Sequence, residues 1–310
     1  MEPVIDVKKL VKKYGDLTAV NGISFSVQKG EIFGLLGENG AGKTTTLEII
    51  EGLRKPTDGE VFIMGHSVRE NSTVTKEHIG VQLQSSAYYS YLTLEEILRL
   101  FGTFYGRTVD PTHLLEMVDL TKKAKSYVTD LSGGQRQRFS IVASLVNDPD
   151  IVFLDEPTTG LDPVARRNLW GIITKIREQG KTVVLTTHYL EEAELLCDRI
   201  AIMNKGEIVA MDKTSRLIQK AKYPYSISFE ATTNEAEVLK ELEHFGTVEH
   251  QLSRAHTFIA RIKSEDNLSK AIALVQKTKP EGLTVRPASL EDLFIELTGK
   301  TIHHGEDHAE

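Results

Sequence analysis

From Val4 to Gly37 the chain alternates apolar and polar residues, as in ISFSV (23–27), and then turns apolar through EIFGLLG (31–37). The alternation predicts half-buried strands and the run a fully buried one, because side chains on a strand point to opposite faces with a period of two. After Thr44 the apolar positions of TTLEIIEGL take helical spacing and stop near Gly52, and KPTDGEVFIMG predicts a turn and another strand. Helical signals predominate from Leu92 to about Val146. IVFLDE (151–156) and TVVLTTH (182–188) are short apolar runs separated by a helical stretch from Pro163 to about Glu178. Buried strands alternating with helices predict a largely parallel α/β sheet, since crossover helices cover both faces of such a sheet.

The pattern changes between Asp212 and Pro224. Beyond it, YSISFE predicts a strand, EAEVLKELEHFG a helix with Val238, Leu239 and Leu242 on one face, VEHQLS and TFIARIK strands, NLSKAIALVQK a helix, LTVRP a strand and SLEDLFIELTG a helix. This βαββαβ order predicts a small α+β ferredoxin-like domain with one added helix. The expected organisation is a large domain at 1–215, a linker at 216–225, the small domain at 226–300 and a disordered tail at 301–310. The histidines of IHHGEDHAE fit a frayed terminus better than a metal site.

Composition narrows the chemistry. A chain of 310 residues can bury a sizeable core. Its net charge of −7 gives no overall support for binding nucleic acid or anionic lipid, so nucleic acid is not an expected partner. Cys197 is the single cysteine, which precludes an internal disulfide and suits a reducing cytosol. The opening MEPVIDVKKL lacks the apolar core of a signal peptide. No uninterrupted apolar run approaches the ~20 residues that cross a bilayer, so a soluble chain is expected.

Two short stretches carry the chemistry. In GENGAGKTT (37–45), Gly37, Gly42, Lys43 and Thr44 have the spacing of a phosphate loop, placed between a buried strand and a helix. Glycines let backbone N–H groups turn inward on phosphates, Lys43 can reach the β- and γ-phosphates, and Thr44 can hold Mg²⁺. Kinases, GTPases and molecular motors all remain open at this point. IVFLDE then delivers Asp155 and Glu156 to the end of a strand. Two carboxylates beside a polyphosphate repel it unless a cation lies between them, so the pair implies Mg²⁺, with Asp155 orienting the ion and Glu156 polarising water.

LSGGQRQRFSIVASLVNDPDIVFLDEPTTGLDP (131–163) resembles the nucleotide-binding subunits of ABC transporters, and the resemblance spans roughly Val4 to Met211. Its parts stand in family order: Tyr14, GENGAGKTT, a Gln before the helical region, LSGGQ, IVFLDE, GLDP and a His after the next strand. The resemblance implies a P-loop NTPase fold of ABC type, with antiparallel β and helical subdomains, that hydrolyses ATP with Mg²⁺. By resemblance, ATP is held by Gly37, Glu38, Asn39, Gly40, Ala41, Gly42, Lys43, Thr44, Thr45 and Asp155, with Tyr14 stacked on adenine. Mg²⁺ falls to Thr44, Asp155 and Gln84 of GVQLQSS, with Gln82 close by as the alternative. The catalytic set is Glu156, His188, Lys43 and Gln84, His188 contacting the γ-phosphate and orienting Glu156.

The second glycine motif lies at the start of a predicted helix, where Ser132 and the backbone at Gly133 and Gly134 can offer donors to an anion, and the resemblance adds Gln135 to this set. In the family this signature closes over ATP held by another subunit, and Asp162 of GLDP communicates across the pair. A second ATPase subunit is therefore expected, a further copy in a homodimer or else a homologous partner, together with a multi-span membrane permease that holds the chain at the inner face of the cell membrane. SLEDLFIELTG, after a small sandwich domain, resembles the extension of ATPases that serve drug-export or antibiotic-resistance permeases, which implies export. An importer ATPase and a ribosome or repair ABC ATPase are the alternatives. NKGE (204–207) falls short of the guanine reader of a GTPase, because Glu207 stands where an Asp belongs. Tyr88, Tyr89 and Tyr91 are expected in a loop that anchors a helix of the permease.

Overall fold

The computed structural model describes residues 2–83, 88–231, 235–250 and 257–299. It divides into two compact units between Asp212 and Lys213.

The first unit runs β1 (Ile5–Tyr14), β2 (Leu17–Val27), β3 (Ile32–Leu36), α1 (Lys43–Ile50), β4 (Asp58–Ile63), β5 (His66–Ser67), α2 (Ser72–Glu77), β6 (Ile79–Gln82), α3 (Leu94–Phe104), α4 (Pro111–Glu116), α5 (Gly133–Ala143), β7 (Ile151–Asp155), α6 (Pro163–Glu178), β8 (Thr182–Thr187), α7 (Leu190–Leu196), β9 (Arg199–Asn204) and β10 (Glu207–Lys213). Strands β2-β1-β4-β5 make an antiparallel sheet and β10-β9-β3-β8-β7-β6 a second sheet. In the second sheet β9, β3, β8, β7 and β6 pair parallel. The apolar runs explain the layering: β3, β7 and β8 are buried at every position, as central strands covered on both faces must be. The alternating strands lie in the antiparallel sheet and bury one face. Phe25 of β2 stacks on Phe33 of β3, with ring centroids 5.3 Å apart, so one core joins the two sheets.

Register positions the chemistry. Leu36 pairs with Thr187, Asp155 with Thr186, and Gln82 with Leu154, so the ends of β3, β8, β7 and β6 lie side by side. Ligands of open parallel sheets bind along such a row of carboxyl ends. NKGE closes the tight connection between β9 and β10, with Lys205 and Gly206 both at positive φ. Among the described residues, no helix is long and apolar enough to cross a membrane.

The second unit runs α8 (Thr214–Gln219), β11 (Tyr225–Glu230), α9 (Glu235–Leu242), β12 (Gly246–His250), β13 (Thr257–Ile262), α10 (Glu265–Gln276), β14 (Glu281–Pro287) and α11 (Leu290–Thr298). Its sheet order β12-β13-β11-β14, antiparallel throughout, is that of a ferredoxin-like sandwich. Ile227, Phe229, Phe258 and Ala260 pack with Val238, Leu242, Ala271 and Val275 in its core. Asp292 of α11 pairs with the buried Arg261 at 3.3 Å and with Arg286 at 2.6 Å. Burial pushes its carboxyl up, but hydrogen bonds from Arg286 and from the Ser289 N–H and hydroxyl hold it below the usual range. The stretch expected as a linker includes the end of α8, because Leu217 finds a buried position there. The end of VEHQLS and the His-containing tail lie outside the described residues.

Candidate functional site

The phosphate loop connects β3 to α1. Gly42, at φ 100°, caps α1 with no side-chain hydrogen bond to its first turn, so the helix start offers its backbone N–H groups outward. A Cβ at Gly42 would lie 2.4 Å from the Ala19 carbonyl oxygen, and one at Gly37 would lie 2.6 Å from that of Met203. Only glycine fits this cradle. Asn39 and Gly40 form its exposed tip, Ala41 is buried, and Thr44 and Thr45 are half-buried on the first turn of α1.

Lys43 is 4% exposed and folds back over its own loop, donating to the carbonyls of Gly37 at 2.8 Å and Glu38 at 3.1 Å. Its Nζ also lies 3.3 Å from Glu156 Oε1. Burial lowers the Lys43 pKa while Glu156 pushes it back up. Glu156 follows β7 at φ 45°, a left-handed conformation that costs a non-glycine residue strain and that is concentrated at functional sites. Its other oxygen, Oε2, lies 3.2 Å from His188 Nδ1. That approach is too bent for a good hydrogen bond, and Nδ1 has no aligned partner. The His188 ring nevertheless holds the Glu156 carboxyl down to about 2; burial opposes this and Lys43 adds to it. Lys43, Glu156 and His188 thus form one cluster at the mouth of the phosphate loop.

Asp155 adjoins the cluster through hydroxyls. Thr44 Oγ1 donates to its Oδ1 at 3.3 Å, and Thr186 Oγ1 donates to the same atom. Burial pushes the Asp155 carboxyl up, and the Thr186 hydrogen bond works against this. A carboxylate touching a threonine hydroxyl is a hard-oxygen donor set that suits Mg²⁺. Gln84, the other expected ligand, lies outside the described residues. Gln82 is buried and its Nε2 donates to the Leu83 carbonyl at 2.7 Å, so that amide is turned onto its own backbone.

Tyr14 ends β1, 40% exposed, with Lys12 Nζ 5.0 Å and the Arg54 guanidinium 5.5 Å from its ring centroid. An accessible aromatic face at this place can stack on a base. Ser132 begins α5 with a capping box: its Oγ accepts from Gln135 N at 3.3 Å and its N–H donates to Gln135 Oε1 at 3.1 Å. Ser132 and Gly133 are exposed, and a Cβ at Gly133 would meet nothing within 4 Å, so the helix start is open to a ligand. Asp162 caps α6, accepting from the N–H groups of Val164 and Ala165 at 2.9 Å each.

Sequence reasoning missed the threonines that position the carboxylates. Thr186 Oγ1 accepts from Glu156 N at 2.9 Å while donating to Asp155, and Thr159 Oγ1 donates to Glu156 Oε2 at 3.2 Å. The pairing of Asp155 with Thr186 follows from the register of β7 against β8, which a single sequence does not display.

A glycine cradle at a helix start, a buried lysine and two carboxylates at the adjoining strand end define a P-loop nucleotide hydrolase. Residues 20–159 match the ABC transporter family model. The Nod factor export ATP-binding protein I of Burkholderia lata is 37% identical over 301 residues, covering 96% of this chain and 97% of that protein. The linearmycin resistance ATP-binding protein of Bacillus subtilis is 35% identical, covering 96% and 99%. Among solved structures, an ATP-binding subunit of an ABC transporter superposes with a TM-score of 0.63 at 29% identity, over 70% of this chain and 92% of that one. A dimeric ATP-binding cassette bound to ADP and Pi superposes with a TM-score of 0.61 at 30% identity, over 67% and 98%. The chain belongs to the ABC transporter family, as an ATP-binding subunit with the ATPase fold of that family.

Proposed function

We propose that the chain is the ATP-hydrolysing subunit of an exporter, working as a pair of copies that drive a separate membrane permease. Two export or resistance ATPases are similar to it over nearly their full lengths, which supports the direction of transport. The single observation that carries the catalytic reading is Glu156 held ionised between Lys43 and His188 at the mouth of the phosphate loop.

In this reading the phosphates of ATP take up the N–H groups at the start of α1 and draw Lys43 from its own carbonyls. Glu156 orients and polarises the attacking water, and His188 steadies the γ-phosphate and the Glu156 side chain. Thr44 and Asp155 would hold Mg²⁺, which supplies charge neutralisation to the phosphates when bound. Ser132, Gly133, Gly134 and Gln135 of the second copy complete the site, and Asp162 adjoins that contact. A head-to-tail pair closes with two equal sites.

Mixing two defects separates a shared site from a site within one chain. A Lys43→Ala chain and a Ser132→Arg chain should each lack activity alone. Combined, they should regain up to about a quarter of parent hydrolysis if mixing is random, because half of the pairs are mixed and each mixed pair carries one intact site. Phosphate release that stays absent from a verified mixture of pairs counts against the shared site.

The aromatic segment beside β6 divides into two roles. Tyr88 packs edge-on against Phe139 of α5 at 5.3 Å and stacks near Phe101 of α3 at 6.2 Å, so it is half-buried against the helical part. Tyr89 and Tyr91 are 48% and 73% exposed and lie 6.1 Å apart, which leaves them available to a permease helix. Tyr89→Ala with Tyr91→Ala should weaken co-purification with the permease while ATP affinity stays within about twofold. Tyr88→Ala should instead lower stability by about 2–3 kcal/mol, read by denaturant unfolding.

A further inference from the structure

Glu192 is fully buried on α7, four residues beyond His188, and the hydrolytic reading gives it no part. Its Oε1 accepts from Trp170 Nε1 of α6 at 3.0 Å. The hydroxyls of Thr187 and Thr158 flank the carboxylate and Arg166 of α6 faces it. Thr187 immediately precedes His188, its Oγ1 accepting from Tyr189 N at 2.9 Å, and Thr158 lies two residues beyond Glu156. A second connection runs in parallel. The Arg166 guanidinium sits 4.1 Å from the Tyr189 ring centroid, and that ring lies 4.2 Å from the His188 ring.

The arrangement is a poor one for stability alone. Glu192 Oε2, Thr158 Oγ1 and Arg166 Nε are buried without an aligned hydrogen-bond partner, although they share one cluster. Unmatched buried polar atoms destabilise a fold, so three together mark a place whose polarity serves something else. Burial pushes the Glu192 carboxyl up, and Thr187, Thr158, Trp170 and Arg166 draw it back.

We propose that Glu192 is a positioning residue for ATP hydrolysis: a buried strut that holds the His188 ring against Glu156 by fixing α7, which begins two residues after His188, to α6 through the Trp170 indole. The idea rests on the Glu156–His188 reading above. An apolar residue could fill the same volume but could not accept the Trp170 N–H while facing Thr187, Thr158 and Arg166 with a carboxylate. Loss of the strut lets His188 drift from Glu156 without touching the phosphate loop.

The test is a split between turnover and affinity in the full chain. Glu192→Ala should lower kcat for ATP about tenfold while affinity for ATP with Mg²⁺ stays within twofold of the parent. Glu192→Gln, which keeps an acceptor for the indole, should recover most of that loss. Trp170→Phe approaches the same hydrogen bond from the other side, and should lower kcat about threefold with affinity again unchanged. A second change, Glu192→Ala in the Trp170→Phe chain, should lower kcat less than it does in the parent. Because Trp170 is the single tryptophan, the emission maximum of its indole checks that Glu192 variants keep the packed core. If Glu192→Ala does not fold, Trp170→Phe and Glu192→Gln decide: a kcat within 20% of the parent in both overturns the proposal. So does affinity that falls in step with kcat. Should Glu156→Gln stop hydrolysis while the Glu192 and Trp170 variants turn over normally, the strut fails and the catalytic reading stands. Turnover that survives Glu156→Gln removes both.

Discussion

Glu156→Gln should leave ATP bound and nearly stop its hydrolysis. The amide keeps the shape of the side chain and its place between Lys43 and His188, but it lacks the charge that lies 3.3 Å from one and 3.2 Å from the other. A carboxylate held at about 2 is fully ionised near neutral pH and can polarise the attacking water through a charged acceptor; an amide is neutral and cannot. A positioned general base contributes typically ~10²–10⁴ in rate. Phosphate release should fall by at least a hundredfold while ATP binding remains, and the paired form should accumulate with ATP in size-exclusion profiles. Turnover within tenfold of the parent would take Glu156 out of the role. Without nucleotide the variant also leaves Lys43 buried with its nearest counter-charge gone, so ATP should raise its Tm more than it raises that of the parent.

Lys43→Ala acts earlier, on binding. Charge-assisted hydrogen bonds contribute about 1.5–3 kcal/mol, so losing the ammonium should weaken ATP binding by ~10–100-fold, measured by titration calorimetry. The substitution has a second signature at low pH. The Glu156 carboxyl stands at about 2 in the folded chain against 4.5 ordinarily. A depressed carboxyl contributes stability that is whole above its unfolded value and is lost as pH falls through its folded one. Lys43 is one of the groups holding it down, so its removal raises the folded value and narrows the window. The acid limb of Tm against pH should therefore move to higher pH in Lys43→Ala, and an unmoved limb would mean that His188 alone sets the Glu156 charge.

Much of this was legible in the chain because local chemistry dictates it. Gly37 and Gly42 must be glycine where a Cβ would strike the carbonyls of Met203 and Ala19, and that demand survives in the sequence as spacing. The apolar runs before Lys43, Asp155 and His188 expose their strands as buried, and buried parallel strands deliver their next residues to one edge. What escaped depends on contacts between distant segments. Tyr88 and Tyr89 are adjacent and chemically identical, yet one packs on Phe139 and the other faces outward, a distinction that only the placement of α5 creates. Glu192 left a faint local trace, being an acid beside Ala193 and in step with Tyr189 and Leu196 on a helix, where an apolar residue is ordinary. Its meeting with Trp170 and Thr158 could not be read until α6 and α7 were packed. In the second unit, α8 ran past the expected domain limit because Leu217 has a buried place to occupy, which composition alone does not show.

The capping box at Ser132 bears on how folding and assembly share a single atom. A hydroxyl has two lone pairs and one hydrogen. Starting α5 uses a lone pair of Ser132 Oγ, which accepts from Gln135 N, and so leaves the hydrogen unspent on a side chain that is already held in one rotamer at an exposed helix tip. That same oxygen can then belong to its own chain through what it receives and to a neighbour's nucleotide through what it gives. In the proposed pairing, each copy would fold with its half of the joint already aimed, and the contact would need no local refolding.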